Sequence, residues 1–200
     1  MLSAASAVAQ NPVRADSLAN AASRAAASRT VEPQRGHNTL GFELGAGVGS
    51  TRLNCAVGCA GMSHMSAGPL LVLGALVHPK LFFGGQAVGS ALDDDKDTEL
   101  THWAVMPVVK YYPSRLFYVG GGVGYGEAEG KVRGGKVKQG LWSAEARAAW
   151  TLPWNRAITP YGSFLWALEP LRIKDAAAPR QVRARSFQIG VALSTPGSMR

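Results

Sequence analysis

From Leu40 to Gly49 the side chains alternate between apolar and small or polar without a break. Leu40, Phe42, Leu44, Ala46 and Val48 fall on one face; Gly41, Glu43, Gly45, Gly47 and Gly49 fall on the other. Period two marks an extended strand with two unlike sides. One side must meet something apolar, and the other must be crowded enough to favour glycine. The pattern recurs. Phe117, Val119, Val123 and Tyr125 share a face with Gly121, opposite Tyr118, Gly120, Gly122, Gly124 and Gly126. Trp142, Ala144, Ala146, Ala148, Trp150 and Leu152 oppose Ser143, Glu145, Arg147, Ala149 and Thr151. Near the end, Phe187, Ile189, Val191 and Leu193 oppose Ser186, Gln188, Gly190 and Ala192.

The connections narrow the fold further. Short turns at His78-Pro79-Lys80, Pro113-Ser114-Arg115 and Pro153-Trp154-Asn155-Arg156 alternate with long polar or Gly-rich loops, read as roughly 50–66, 91–99, 127–139 and 169–181. Between them lie apolar segments of about ten residues, the length a tilted strand needs to cross a bilayer. Seven connections imply eight strands. The expected fold is all-β: an eight-stranded antiparallel up-and-down transmembrane β-barrel with a flexible N-terminal arm. Short turns and both termini share one side, and the long loops the other. Trp142 and Trp150, near the two ends of one outward face, suit an aromatic girdle at both interfaces. The second strand is apolar on both faces. The third is read as Leu81–Val88. In the fourth, Trp103, Val105, Val109 and Tyr111 form the expected outward set; the outward face of the seventh, Ile158–Leu168, stays open.

Composition agrees. Hydrophobic residues make up 46% of the chain, yet the longest strongly apolar run is Leu70–Val77, too short for a spanning helix. The 24 glycines would ruin helices but suit the crowded inside of a small barrel. The net charge of +8 invites a nucleic-acid reading. Its placement argues against one: Arg14, Arg24, Arg29 and Arg35 precede the strands, and Lys131, Arg133, Lys136, Lys138, Arg172, Lys174 and Arg180 sit in the expected loops. Cys55 and Cys59 have the wrong spacing for thioredoxin chemistry and too few companions for zinc. They are expected to close a small disulfide loop, which implies an oxidising compartment. No cofactor and no metal are expected.

The domain reading follows. Residues 1–9 end in Ala7-Val8-Ala9, a cleavage pattern, and are expected to be the remnant of a secretory signal peptide. Residues 10–35 carry few large apolar side chains and are expected to form a disordered or loosely helical arm. The barrel spans 36–195, and 196–200 form a tail.

Several motifs need weighing. Gly130–Val137 nearly matches a phosphate-binding loop, but Val137 stands where a hydroxyl is needed and a strand follows instead of a helix. Asp93, Asp94, Asp95, Asp97 and Glu99 are dense enough for weak calcium binding but complete no EF-hand. His64 and Ser66 share a face, which would suit a base and nucleophile, but no acid nearby orients the imidazole. Glu43, Glu145 and Arg147 point inward on the first and sixth strands and should pair across the lumen, since unpaired buried charge is costly.

The segments Gly41–Gly49, Cys55–Cys59, Leu81–Gln86, Lys110–Gly126 and Ser186–Ala192 resemble the small eight-stranded outer-membrane barrels of the OmpA/OmpX-like type. Tyr111-Tyr112-Pro113 leading into Phe117–Gly126 is the strongest match. One departure is the end of the last strand near Leu193, where such barrels often finish on an aromatic residue. The resemblance implies the cell outer membrane and a non-enzymatic structural, adhesive or surface-interaction role with a closed or very narrow lumen. Outer-membrane lipid and lipopolysaccharide would surround a monomer, and the long loops could meet a surface partner. A lipid-modifying outer-membrane enzyme built on His64 and Ser66 is one alternative, and a soluble lipocalin-like binding barrel another. The soluble barrel would leave Leu40, Phe42, Leu44, Trp142 and Trp150 bare in water.

Overall fold

A computed structural model describes residues 39–55, 62–94, 98–132, 134–174 and 180–195. The stretches expected to be a signal remnant (1–9), an arm (10–35) and a tail (196–200) lie outside these residues. So do Cys59 and Asp95–Asp97.

Nine strand segments follow one another: β1 (Thr39–Cys55), β2 (Met62–His78), β3 (Leu81–Asp94), β4 (Thr98–Tyr111), β5 (Phe117–Val132), β6 (Gly135–Trp150), β7 (Ile158–Ala167), β8 (Leu171–Ile173) and β9 (Arg180–Ser194). Each pairs antiparallel with the next around the sheet, and β1 closes on β9. β7 and β8 belong to one stave, interrupted at Leu168–Pro170, so the barrel has eight staves. Opposite the interruption, the Gln139 side chain stands in for the ladder: its Nε2 donates to the Pro170 carbonyl at 3.3 Å, and its Oε1 accepts from the Arg172 N–H at 3.0 Å. Closure removes every sheet edge, which a membrane demands.

Three prolines sit inside strands of this closed sheet. The ladder breaks beside each one: β2–β3 skips Gly68 and Pro69, β4–β5 skips Met106–Val108, and β6–β7 stops at Tyr161, one residue after Pro160. A proline has no N–H to donate, so pairing fails on that side only.

The expected facings hold for β1, β5, β6 and β9. Leu44, Val48, Val119, Val123, Tyr125, Trp142, Trp150, Ile189 and Val191 are exposed, whereas Glu43, Tyr118, Glu145, Arg147 and Gln188 are buried. Trp103, Val105, Val109 and Tyr111 of β4 also face outward. The open question of β7 is answered by Tyr161, Ser163 and Leu165 inside and Phe164 outside.

The loop readings need correction. Much of 50–66, 91–99, 127–139 and 169–181 is strand, not loop. β5 and β6 stay paired to Val132↔Gly135 and turn at Gly134, whose φ of 75° suits a tight hairpin. The phosphate-loop look-alike Gly130–Val137 is therefore a β-hairpin. Strands of 14–17 residues, as in β1 to β6, exceed the roughly 9–11 needed to cross a bilayer.

The surplus length reverses its pattern. At the level of Trp103, Tyr125 and Trp142 the outward face changes from apolar to charged. Beyond it come Glu99, Glu127, Glu129, Lys136 and Lys138, while Leu100, Ala128, Val132, Val137 and Leu141 turn inward as a buried apolar cluster. The short turns meet at the opposite end, tied by Tyr112 N–H to Lys80 O (2.9 Å) and Thr151 N–H to Leu116 O (2.7 Å).

Candidate functional site

The lumen of the spanning half is filled rather than open. An eight-stranded barrel leaves just enough room for side chains, and missing Cβ atoms decide where the large ones fit. A Cβ on Gly120 would lie 3.0 Å from Lys110 Cγ; one on Gly124 would collide with Met106. The glycine row of β5 thus admits Lys110 and Met106 from β4.

Lys110 reaches Glu43 across the interior, Nζ to Oε1 at 2.7 Å. The Tyr118 hydroxyl donates to Glu43 Oε2 at 3.0 Å. Arg147 lies 4.0 Å from Glu43 and 2.8 Å from Glu145. Gln86 joins the two sides: its Nε2 donates to Glu145 Oε2 and its Oε1 accepts from Arg147 Nη2, both at 3.1 Å. Lys110 also lies 4.7 Å from the ring centres of both Phe82 and Tyr118. Two carboxylates and two cations therefore balance in a fully buried knot. Removing water from these charges is expensive, and only this mutual pairing offsets it.

Glu43, Glu145 and Arg147 are thus brought together. Sequence reasoning missed Lys110, Gln86 and Tyr118. The signal for Lys110 was available, because it falls between the outward Val109 and Tyr111 and must point inward.

His64 and Ser66 both face the interior side of β2, Ser66 buried and His64 half-buried. A different pair forms instead: His102 Nε2 and Ser143 Oγ lie 2.8 Å apart, fully buried beneath the apolar cluster. At the same height Thr51 Oγ1 meets Ser186 Oγ at 2.7 Å and Ser90 Oγ at 3.1 Å, so the lumen changes from ionic through hydroxylic to apolar. Among the described residues no group of three or more His, Cys, Asp or Glu could hold a metal. Asp93 and Glu99 are neighbours in the β3–β4 ladder and Asp94 ends β3 opposite Thr98, but Asp95 and Asp97 lie outside the described residues. Cys55 ends β1, and Cys59, its expected disulfide partner, lies outside the described residues.

The charged collar above the girdle is segregated. Asp93, Glu99, Glu127 and Glu129 occupy β3 to β5, where Lys131, the register partner of Glu99, is the exception, whereas Lys136, Arg172, Arg183, Arg185 and Arg52 run across β6, β8, β9 and β1, with Lys174 just past β8. Lys138 at the seam pairs with Glu129 at 3.4 Å.

No family model and no curated protein sequence matches the chain. Solved structures do. Neisserial surface protein A is 13% identical, with 76% of this chain and 96% of that chain covered and a TM-score of 0.50. Ail, the attachment invasion locus protein of Yersinia pestis, is 10% identical, with coverage of 78% and 98% and a TM-score of 0.51. Closed antiparallel topology, outward apolar belt and these likenesses agree: the chain has the fold of the small eight-stranded outer-membrane β-barrels.

Proposed function

We propose that this chain is a non-enzymatic, non-conducting barrel of the outer membrane that acts through its charged collar and loop-side hairpins. The observation that carries this reading is the filled lumen. Tyr118, Phe82, Lys110, Met106, Leu141 and Leu171 are fully buried along its length, so water and solutes have no evident path. What remains for a partner is the outer surface, where segregated charge gives direction to an encounter. The parallel with Ail, also solved with the heparin analogue sucrose octasulfate, supports a surface-interaction role. An outer-membrane setting is supported by the exposed belt of Leu44, Val48, Trp103, Val105, Trp142, Trp150 and Ile189, which water would penalise. The belt also argues against the soluble lipocalin-like alternative.

Two measurements test the reading. Purified barrel in planar bilayers is expected to give no stable conductance steps; a long-lived open channel would overturn the closed lumen. A tag inserted beside Lys136 is expected to be labelled on intact cells. Labelling only after permeabilisation would reverse the orientation.

A further inference from the structure

An apolar groove of about 780 Å³ crosses the outside of the barrel where β7, β9, β1 and β2 meet. Its floor is low because Ala46, Ala67, Pro69 and Pro160 stand where other staves carry larger residues. The size falls within the roughly 300–1,000 Å³ typical of ligand clefts. The groove lies on the lipid-facing side, and the exposed register partners Val48 and Ile189 stand in its wall.

Directly above it the collar is most basic. Arg52 follows Val48 by four residues on β1, and Arg185 precedes Ile189 by four on β9. Four residues of strand span about 13 Å. Arg52 and Arg185 are register partners, both exposed, and Arg183 stands next along β9. Farther toward the loop end, past β8, Lys136 and Lys174 form a second like-charge bridge. Like charges directly opposite each other destabilise a sheet. Among the described residues none of Arg52, Arg183, Arg185, Lys136 and Lys174 is in an ion pair. Ser50, between groove and arginines, shares a hydrogen bond of 2.6 Å with Ser63, the register partner of Arg52 on β2. Cations over an apolar trough, one strand-length segment apart, match a molecule with an anionic head and a hydrocarbon tail.

We propose that Arg52 and Arg185 hold a phosphate of lipopolysaccharide in the outer leaflet, and that one of its acyl chains lies in the groove over Ala46, Ala67 and Pro69. The assignment rests on the outer-membrane placement proposed above. A second copy of the chain fits less well, because two-fold pairing through this face would set the same arginines against each other. A sulfated glycan would use the arginines and leave the groove empty.

The test reconstitutes the full chain into phosphatidylcholine vesicles with and without lipopolysaccharide. Flotation reports insertion, and mass spectrometry reports lipid retained after extraction. Wild type is expected to float in both and to retain lipopolysaccharide over phosphatidylcholine. Arg52→Gln with Arg185→Gln should weaken retention roughly thirtyfold, about fivefold for each charge. Ala46→Trp, which fills the groove without changing charge, should weaken it as well; Ala67→Leu is the milder version should the tryptophan variant misfold. Lys138→Gln, at the opposite seam of the collar, should leave retention unchanged. Equal loss with Lys138→Gln would overturn the site in favour of diffuse attraction. Heparin fragments that compete fully and are insensitive to Ala46→Trp would overturn it in favour of a glycan surface. A barrel that floats but shows no lipid preference overturns the site and leaves the membrane reading intact. A barrel that stays in the aqueous fraction overturns both.

Discussion

The spanning half and the loop-side half of this barrel are built from the same strands with opposite insides. β6 shows the contrast within sixteen residues. From Leu141 towards Gly135 its inward residues include Leu141 and Val137, and its outward residues include Lys138 and Lys136. From Trp142 to Trp150 its inward residues are Ser143, Glu145, Arg147 and Ala149, and its outward residues are mostly apolar. The upper half has an apolar core and a charged outside; the lower half exchanges that order. The backbone and its period of two never change. What changes is the solvent outside, and the chain answers by moving its apolar residues to the other face.

If this contrast is right, the two halves should fail for different reasons. The largest effect is expected in the ionic knot. Lys110→Met leaves Glu43 buried without its close partner, and should cost about 3–5 kcal/mol. Urea unfolding in lipid vesicles measures it, and adding Glu43→Gln should recover much of the loss. A single and a double variant of equal stability would show that the knot is not coupled. Next comes the upper core. Leu141→Ala should cost roughly 2–5 kcal/mol, as in any water-soluble interior. A negligible cost would mean that the upper half is loosely packed.

The outward face gives the sharpest contrast. Ala146→Arg places a charge among lipid tails and should cost about 2–4 kcal/mol. Thr101→Arg, on an outward face above the girdle, should stay within about 0.5 kcal/mol. Equal assembly yields for the two variants would erase the boundary drawn at Trp103 and Trp142. The smallest effect should come from Gln139→Leu, which removes two stand-in hydrogen bonds at the β7–β8 interruption. About 1–2 kcal/mol is expected, with faster amide exchange confined to the neighbourhood of Arg172.

The same inversion decides how much could be read beforehand. Facing was legible wherever a strand lies within the spanning half, because bulky apolar and tiny or polar residues alternate there, as from Leu40 to Gly49. It was misread at 127–139, where Glu127, Glu129, Lys131, Lys136 and Lys138 suggest a loop. Those charges occupy only alternate positions, and Ala128, Val132 and Val137 between them are buried. The phase of the pattern had flipped, and abundant charge masked the period. In the lumen, Glu43, Glu145 and Arg147 were visible as charges on otherwise uncharged inward faces. Gln86 was not, since a buried amide looks like any polar residue until its two partners are known. The groove was out of reach because it depends on staves meeting across the β1–β9 seam, far apart in the chain.

The β5–β6 hairpin keeps its ladder for seven residues beyond Tyr125↔Trp142 before turning at Gly134. That is a rise of roughly 23 Å along the strand direction. The hairpin is therefore a stiff post and not a tether. A molecule docking on its outer end would meet backbone already held in place, and little conformational entropy would be lost in ordering it. Reach is also fixed: the post can touch what stands at that height above the bilayer and cannot stretch to what lies farther.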